Sequence, residues 1–218
     1  MIEYYLLPLL LVLLNACKST HETKTNPYYT KIKIDTLLHD KISVRALLVD
    51  QHKIWYAGNG NKFGFLTLEK DAQSYQTTIQ NNNLKLEFRS IAQTNNSVFI
   101  LTVANPALLY RIDKKTLQTE LVYQEQHEKV FYDAMLFMNE KEGIAIGDPT
   151  ENCPSIIKTA DGGNTWTKLP CSTLPQFATG ESFFAASNTN ITYKEGKLFM
   201  VSGGKSANCY VSDNKGFS

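Results

Sequence analysis

Residues Thr159 to Trp166 read Thr-Ala-Asp-Gly-Gly-Asn-Thr-Trp and decide the fold of this chain. The stretch matches the pattern Ser/Thr-x-Asp-x-Gly-x-Thr-Trp, which we call the Asp box, with fixed positions at Thr159, Asp161, Gly163, Thr165 and Trp166. We expect Asp161 to accept hydrogen bonds from the backbone of the turn, whose glycines permit positive φ angles. Trp166 is expected to bury its ring against a neighbouring sheet. The box therefore predicts a hairpin turn, and it indicates architecture rather than chemistry.

Short runs of apolar, β-branched and aromatic residues recur on both sides of the box, separated by Gly, Asn, Asp and Pro. They form units with a period near 44 residues, and Arg45, Arg89 and Asp133 stand at equal steps of 44. Four strands per unit at this spacing are typical of the blades of a β-propeller. We predict an all-β protein, a β-propeller of four-stranded blades that forms an incomplete arc of about four blades.

The third unit shows all four of its strands, at Asp133–Phe137, Gly143–Gly147, Ser155–Thr159 and Thr165–Leu169. A fourth unit is predicted from the runs Glu181–Ala186 and Lys197–Gly204. Ahead of the first unit, Tyr29–Leu37 has the pattern of a lone strand, which can supply the outer strand of the last blade.

The last seven residues repeat the Asp box with asparagine in the aspartate position, and its fixed positions are Ser212, Asn214, Gly216 and Ser218. The sequence stops where the tryptophan would follow. Because half a hairpin leaves an unpaired strand edge exposed, we expect a longer protein with further blades. The predicted propeller domain covers residues 30–218 and is cut within its fourth blade.

An apolar run from Tyr4 to Leu14 ends in Leu-Asn-Ala-Cys, which resembles the lipobox of bacterial lipoproteins. About eleven residues are too few to span a ~30 Å hydrocarbon core but suit a signal peptide. We predict a lipoprotein signal peptide over residues 1–17, lipidation of Cys17, a flexible tether over 18–29, and export to the periplasmic face or cell surface. The alternatives are an ordinary cleaved signal and a buried apolar strand, since no Lys or Arg precedes the run.

The charge and the cysteines of the chain limit its possible partners and covalent links. Lys and Arg total 22 against 21 for Asp and Glu, so no overall charge favours a nucleic-acid partner. A hairpin that turns at residues 161–164 places Cys153 nearly opposite Cys171, which predicts a disulfide in an exported chain, with two reduced thiols as the alternative. Cys209 is then unpaired and is expected to be buried.

No pattern indicates a metal or a cofactor. The histidines at 39, 52 and 127 are scattered and have no cysteine partner, and Gly58-Asn59-Gly60 lacks the third glycine of a dinucleotide site. Asp148, which precedes Pro149, has two interpretations: a carboxylate in a pocket, or a cap of the turn. We therefore predict no metal site, no cofactor and no catalytic residue.

The box, the 44-residue period and second strands that end in Gly together resemble the bacterial neuraminidase (Asp-box) repeat β-propellers. Within that superfamily, the chain is similar to photosystem II stability/assembly factor-like lipoproteins of non-photosynthetic bacteria, over roughly residues 40–218. The segments that carry the likeness are Ile54–Gly58, Asp133–Phe137, Gly143–Pro149 and Ile157–Trp166. The resemblance implies the fold strongly and the function weakly, because the same repeat serves glycosidases, receptors and assembly factors.

Two functions are compatible with the sequence features described above. The first is a non-enzymatic scaffold that binds a protein or glycan through Arg45, Arg89, Asp133 and Glu181 around one channel mouth, and the resemblance implies an arginine-bearing binding face. The alternative role of these side chains is a blade-to-blade ion pair, with Arg89 beside Asp133. The second function is a sialidase-like glycosidase, which needs an arginine cluster, and Arg111 is expected on an outer strand where it cannot join the other two.

Overall fold

The computed structural model describes residues 31–38, 40–69, 73–184 and 188–214. The predicted signal peptide, Cys17, the tether at 18–29, and Gly216 and Ser218 of the second box all lie outside the described residues. Within the described ranges, no helix is long and apolar enough to cross a membrane.

The chain divides into two compact units, Met1–Leu38 and His39–Ser218. In the first unit, residues 31–38 have no helix or strand, so the described part of the predicted strand Tyr29–Leu37 is not a strand. All the blades belong to the second unit.

Three antiparallel sheets of four strands make up the first three blades. Blade 1 consists of β1 (Val44–Asp50), β2 (Lys53–Gly58), β3 (Lys62–Thr67) and β4 (Ser74–Thr78). Blade 2 consists of β5 (Phe88–Gln93), β6 (Ser97–Thr102), β7 (Ala107–Asp113) and β8 (Thr119–Glu125). Blade 3 consists of β9 (Tyr132–Phe137), β10 (Gly143–Gly147), β11 (Ser155–Thr159) and β12 (Thr167–Lys168).

Strands pair in chain order within each of these sheets, and the first strands of neighbouring blades contact one another. This is the up-and-down order of propeller blades around a central axis. The predicted fold class, all-β with four-stranded propeller blades, is confirmed.

Apolar clusters between successive blades hold the arc together. Strand β6 shows how: Val98 and Ile100 lie in the cluster shared with blade 1, whereas Phe99 and Leu101 lie in the cluster shared with blade 3. All four side chains are buried. Because successive side chains in a strand point to opposite faces, a strand buried on both sides reads as a continuous apolar run.

The Asp box closes the hairpin between β11 and β12. Asp161 accepts hydrogen bonds from the Thr165 N–H at 3.0 Å and from the Thr159 hydroxyl at 2.8 Å. Gly163 has a φ of +84°, and a Cβ there would lie 2.3 Å from the Phe99 ring of blade 2. The Trp166 ring is buried, with its centroid 6.2 Å from that of Phe99. The box therefore has two structural roles: it forms a turn within blade 3, and it packs that turn against blade 2.

Blade 4 departs from the regular pattern because its first strand is split. The two pieces are β13 (Glu181–Ser182) and β14 (Ile191–Lys194), and the other strands are β15 (Lys197–Val201), β16 (Gly203–Gly204) and β17 (Cys209–Ser212). β13 pairs with β16, while β14 and β17 pair with β15. The sequence predicted one run over Glu181–Ala186, which is wrong for Phe183 and Phe184, since neither is in a strand.

Asn188, in the segment between β13 and β14, binds the first strands of two other blades. Its side chain accepts a hydrogen bond from the Met135 N–H at 2.7 Å and donates to Met135 O at 2.9 Å. It also donates to Ile91 O at 3.1 Å. A side chain of blade 4 thus satisfies backbone groups at the inner edges of blades 3 and 2.

The cysteines lie in two different environments. Cys153 and Cys171 form a disulfide with Cα atoms 5.7 Å apart, and a short 3-10 helix, Cys171–Thr173, begins at the second of them. Cys209 is a free and exposed thiol, so the expectation that it is buried is wrong. It lies on the side of blade 4 that faces away from blade 3.

Candidate functional site

Three of the predicted binding residues occupy the same special position in their blades. Arg45 lies between Val44, which pairs with Gly58, and Ala46, which pairs with Ala57, so Arg45 itself has no partner in the ladder. Arg89 and Asp133 are skipped in the same way at the starts of β5 and β9. Each is the extra residue of a β-bulge, a device that redirects a side chain. The 44-residue step therefore corresponds to three equivalent bulges at one mouth of the arc.

The two arginines at these bulges are accessible to a partner. Arg45 is exposed, and Arg89 forms an ion pair with Glu87 at 3.1 Å, with 26% of its side chain exposed. Glu87 is two residues away on the same segment, and Arg89 does not form the ion pair with Asp133 that was the alternative explanation for its position. The arginine side chains therefore remain available at the surface of the mouth.

Asp133 is buried, and neither carboxyl oxygen has a hydrogen-bond partner among the described residues. Burial, together with the charge of Asp148, raises its pKa to about 8, although Arg89 acts in the opposite direction. The nearby backbone N–H of Asp148 also acts to lower the pKa of Asp133. This N–H donates its hydrogen bond to Phe131 O at 2.8 Å and so leaves the Asp133 carboxyl without a donor. Near neutral pH this carboxyl therefore holds its proton, unlike an ordinary aspartate.

Asp148 links blade 3 to blade 4. Its Oδ1 accepts a hydrogen bond from the Phe183 N–H at 2.8 Å, so this side chain binds the start of blade 4. Burial raises its pKa to about 6, while the Phe183 N–H and the Ser182 hydroxyl lower it. Asp148 also lines a cavity of about 480 Å³ together with Lys129, Glu151, Phe177 and Gly180.

Glu181, the fourth predicted binding residue, is buried within blade 4. Its carboxylate accepts hydrogen bonds from the Ala178 N–H at 2.9 Å, the Asn208 amide at 2.9 Å and the Tyr210 hydroxyl at 2.7 Å, and also from the Ser202 hydroxyl. Burial raises its pKa, but these donors outweigh burial and lower it to about 2. A partner at the mouth would meet Arg45 and Arg89 before it met Glu181 or Asp133.

A second cavity, of about 910 Å³, was not predicted from the sequence. It lies where the first strands of blades 1 to 3 end, and its lining includes Asp50, Gln93, Asn95, Lys114 and Phe137. Lys114 forms an ion pair with Asp50 at 2.9 Å and donates to Gln93 Oε1 at 2.7 Å, which joins blades 1 and 2. Asp50, Gln93 and Phe137 recur about one period apart, and that spacing was the signal available in the sequence.

Arg111 lies on β7, the third strand of its blade, where it pairs with Glu120 and donates to Asn164 of the Asp box. It therefore does not join Arg45 and Arg89, which occupy first strands. In the described ranges, no group of three His, Cys, Asp or Glu side chains is placed to hold a metal ion.

No protein-family model and no curated protein matches the sequence. Solved structures do match. The computationally designed Ika4 protein aligns with a TM-score of 0.52 at 13% identity, over 81% of this chain and 94% of that one. The WD40 repeats of RRP9 align with a TM-score of 0.51 at 11% identity, over 76% and 46%.

A structure of YCF48 bound to a D1 peptide also aligns, with a TM-score of 0.49 at 13% identity, over 80% of this chain and 66% of that one. The chain spans about half the length of the RRP9 structure described above. At these identities, the alignments with Ika4 and RRP9 show the fold alone, and we conclude that the chain has the fold of a β-propeller.

Proposed function

We propose that this chain is a non-enzymatic β-propeller that binds a protein partner at the mouth formed by the starts of β1, β5 and β9. The observation that carries the proposal is the set of three equivalent bulges at Arg45, Arg89 and Asp133. A bulge costs ladder hydrogen bonds, and bulges are over-represented beside functional sites. Their repetition in three blades indicates a surface that is built for contact.

The partner should present carboxylates to this mouth. Arg45 is exposed, and the Arg89 guanidinium pairs with the carboxylate of Glu87. Guanidinium groups suit planar, bidentate recognition of carboxylates. Asp133 lies behind them with a pKa raised to about 8, so it adds little negative charge at neutral pH.

The proposal includes a membrane anchor and the assembly-scaffold role of the similar lipoproteins. Both rest on the sequence: the lipobox that ends at Cys17, and the Asp-box repeat. A lipid anchor of this kind would hold the propeller at a membrane surface.

Site-specific crosslinking in the native host tests the binding mouth. A photoreactive residue replaces Lys41, beside the mouth, in the wild-type chain, in an Arg45→Ala/Arg89→Ala variant and in an Arg111→Ala control. We expect one discrete crosslinked protein that is retained in the control and reduced about tenfold or more in the double variant, since a tenfold loss needs only about 1.4 kcal/mol. Equal crosslinking in all three chains would refute the arginine mouth.

A second candidate function, carbohydrate binding without catalysis, is favoured by the cavity of about 910 Å³ at the opposite mouth. Amide side chains such as Gln93 and Asn95 both donate and accept hydrogen bonds, as sugar hydroxyls require. Calorimetry with neutral oligosaccharides, comparing wild type with Gln93→Ala, tests this function. Heat of binding that disappears in the variant would support it.

A further inference from the structure

The cavity of about 480 Å³ lies where blade 3 meets blade 4. One wall is the loop that follows β10, with Asp148 and Glu151, and the other is the segment that leads into β13, with Phe177. The Phe177 N–H donates a hydrogen bond across the cavity walls to Asn152 O at 2.8 Å. The Phe183 N–H donates another to Asp148 Oδ1 at 2.8 Å. The two walls therefore hold each other in place.

This cavity lies at the same mouth as the arginines. Gly147, directly before Asp148, pairs with Tyr132 at the start of β9, which is the strand end that carries the bulge at Asp133. Asp133 lies close enough to both Asp148 and Arg89 for their charges to change its pKa. The cavity and the arginine therefore act on one buried carboxyl from two sides.

The lining of the cavity is acidic. Asp148, Glu151 and Glu181 contribute carboxyl groups, and Lys129 is the single basic residue among the described lining residues. Burial tends to raise the pKa of Glu181, but its donors lower it to about 2, so Glu181 is ionised near neutral pH. Burial raises the pKa of Asp148 only to about 6, so Asp148 is also mostly ionised there. The lining thus carries a net negative charge, opposite in sign to Arg45 and Arg89.

Asp133 shows that the charge of Asp148 is not fully compensated. The Asp133 carboxyl is buried, and neither oxygen has a hydrogen-bond partner among the described residues. Burial and the charge of Asp148 raise its pKa, and the opposing effect of Arg89 is smaller. A cation beside Asp148 would offset this repulsion, because a nearby opposite charge favours the ionised form of a carboxyl group. The arrangement therefore favours a cationic occupant of the cavity.

Phe177 gives the cavity an aromatic component. The residue is 8% exposed, and its ring stacks on Tyr210 with centroids 5.3 Å apart and meets Phe183 edge-on at 5.2 Å. Aromatic faces attract ammonium and guanidinium groups, and carboxylates form charge-assisted hydrogen bonds with the same groups. The cavity volume also lies within the range of about 300–1,000 Å³ that is usual for ligand sites.

We propose that this cavity binds a basic side chain, lysine or arginine, of the protein that docks on the arginine mouth; the inference rests on the proposed function for the identity of that partner. The cationic group would bind Asp148 and Glu151, and the aliphatic stem would lie against Phe177. The partner would present carboxylates to the arginines and a basic residue to the cavity. Opposite charges at the two places would fix the orientation of the partner across the mouth.

Binding of a small probe tests the cavity separately from the partner. The probe is N-acetyl-lysine amide, and its matched control is N-acetyl-norleucine amide, which has no side-chain ammonium. The protein is the full chain carrying Cys17→Ser, since that substitution removes the predicted lipid attachment. We expect the lysine probe to cause saturable shifts of the amide NMR signals of Thr179 and Gly180, which line the cavity, and the norleucine probe to cause none.

Charge variants identify the groups that bind the probe. Asp148→Asn/Glu151→Gln should weaken binding of the lysine probe about fivefold or more, because it removes two carboxylates. Lys129→Gln should tighten binding, because it removes the ammonium that competes for them. The control is Glu128→Gln, since Glu128 is exposed and next to Lys129 in the chain but is not part of the described lining. That change should leave the affinity unaltered.

Three results would overturn the proposal: no binding of the lysine probe, equal binding of the two probes, or an affinity that the double acid variant leaves unchanged. The amide spectrum of each variant shows whether it is folded. If the double variant is not, Lys129→Gln decides the matter, and unchanged or weaker binding there would refute the acidic cavity.

The arginine mouth is judged independently of the cavity. Arg45→Ala/Arg89→Ala should bind the lysine probe at least as tightly as the parent chain, because it removes no carboxylate. Loss of probe binding in that variant would contradict a separate cavity site. Failure of the probe together with arginine-dependent crosslinking from position 41 would reject the cavity and leave the proposed function standing.

Discussion

Asp133 and Glu181 are buried acids near the starts of the first strands of blades 3 and 4, yet their chemistry is opposite. Asp133 has no hydrogen-bond partner among the described residues, and its pKa is raised to about 8. Glu181 accepts hydrogen bonds from four groups, and its pKa is lowered to about 2. Burial raises both pKa values. The charge of Asp148 adds to the rise at Asp133, whereas the donors around Glu181 outweigh burial.

The local backbone accounts for that difference. Asp133 is the extra residue of a bulge, which turns its side chain out of the regular ladder. Glu181 pairs in register with Gly204, and the loop that leads to β17 brings Asn208 and Tyr210 to its carboxylate. A similar place near the start of a blade's first strand therefore does not determine what surrounds a side chain.

The largest effect should follow the loss of the Glu181 carboxylate. Glu181→Ala leaves several donors of blade 4 without an acceptor, and unpaired buried groups are costly. We expect a clear fall in Tm and early proteolytic cleavage within residues 178–212. The exposed Glu195→Ala, in the same blade, is the control and should change neither. Unchanged proteolysis of Glu181→Ala would show that its network does not hold blade 4 together.

The next effect concerns Asp133 and pH. Its folded pKa is raised above the ordinary value of 3.8, so the folded state binds the proton more tightly than the unfolded chain. Stability should therefore fall as pH rises from about 4 to about 8, by at most about 1.4 kcal/mol per pH unit. Asp133→Asn should remove that slope and raise Tm at pH 8. Thermal unfolding across this pH range measures both, and an unchanged slope would contradict the assignment.

Asp148 should give a weaker version of the same behaviour. Its folded pKa of about 6 is also raised, so its contribution is lost between about pH 4 and pH 6. Asp148→Asn keeps an oxygen that can accept from the Phe183 N–H. We expect it to flatten the pH dependence below pH 6. Because it also removes the charge of Asp148, it should lower the pKa of Asp133 and end the slope above pH 6 at a lower pH. A change confined to higher pH would assign the titration to another group.

The smallest effect should come from Arg89, whose charge lowers the pKa of Asp133. Arg89→Ala should raise that pKa further, whereas Arg45→Ala, at the equivalent bulge of blade 1, should leave it unchanged. Carboxyl carbon chemical shifts followed by NMR titration report the change directly. Equal shifts in the two variants would mean that Arg89 has no specific influence.

Much of the fold was readable from the sequence because it depends on local periodicity. The strands Gly143–Gly147 and Ser155–Thr159 agree with the structure residue by residue. The step of 44 between Arg45, Arg89 and Asp133 predicted that the three residues lie at the same mouth of the propeller. The β-bulges at these positions could not be predicted, because the residue types there carry no signal for a bulge. The split first strand of blade 4 was missed because apolar content alone does not show where pairing stops.

The Asp-box turn, the blade period and the all-β architecture can be predicted from the sequence, since each depends on residues close together in the chain. The raised pKa of Asp133, the four donors around Glu181 and the exposure of Cys209 become visible only in the folded structure. Those properties depend on which groups from distant segments surround a side chain. Burial and hydrogen bonding act through space, so neighbours in the sequence do not specify them.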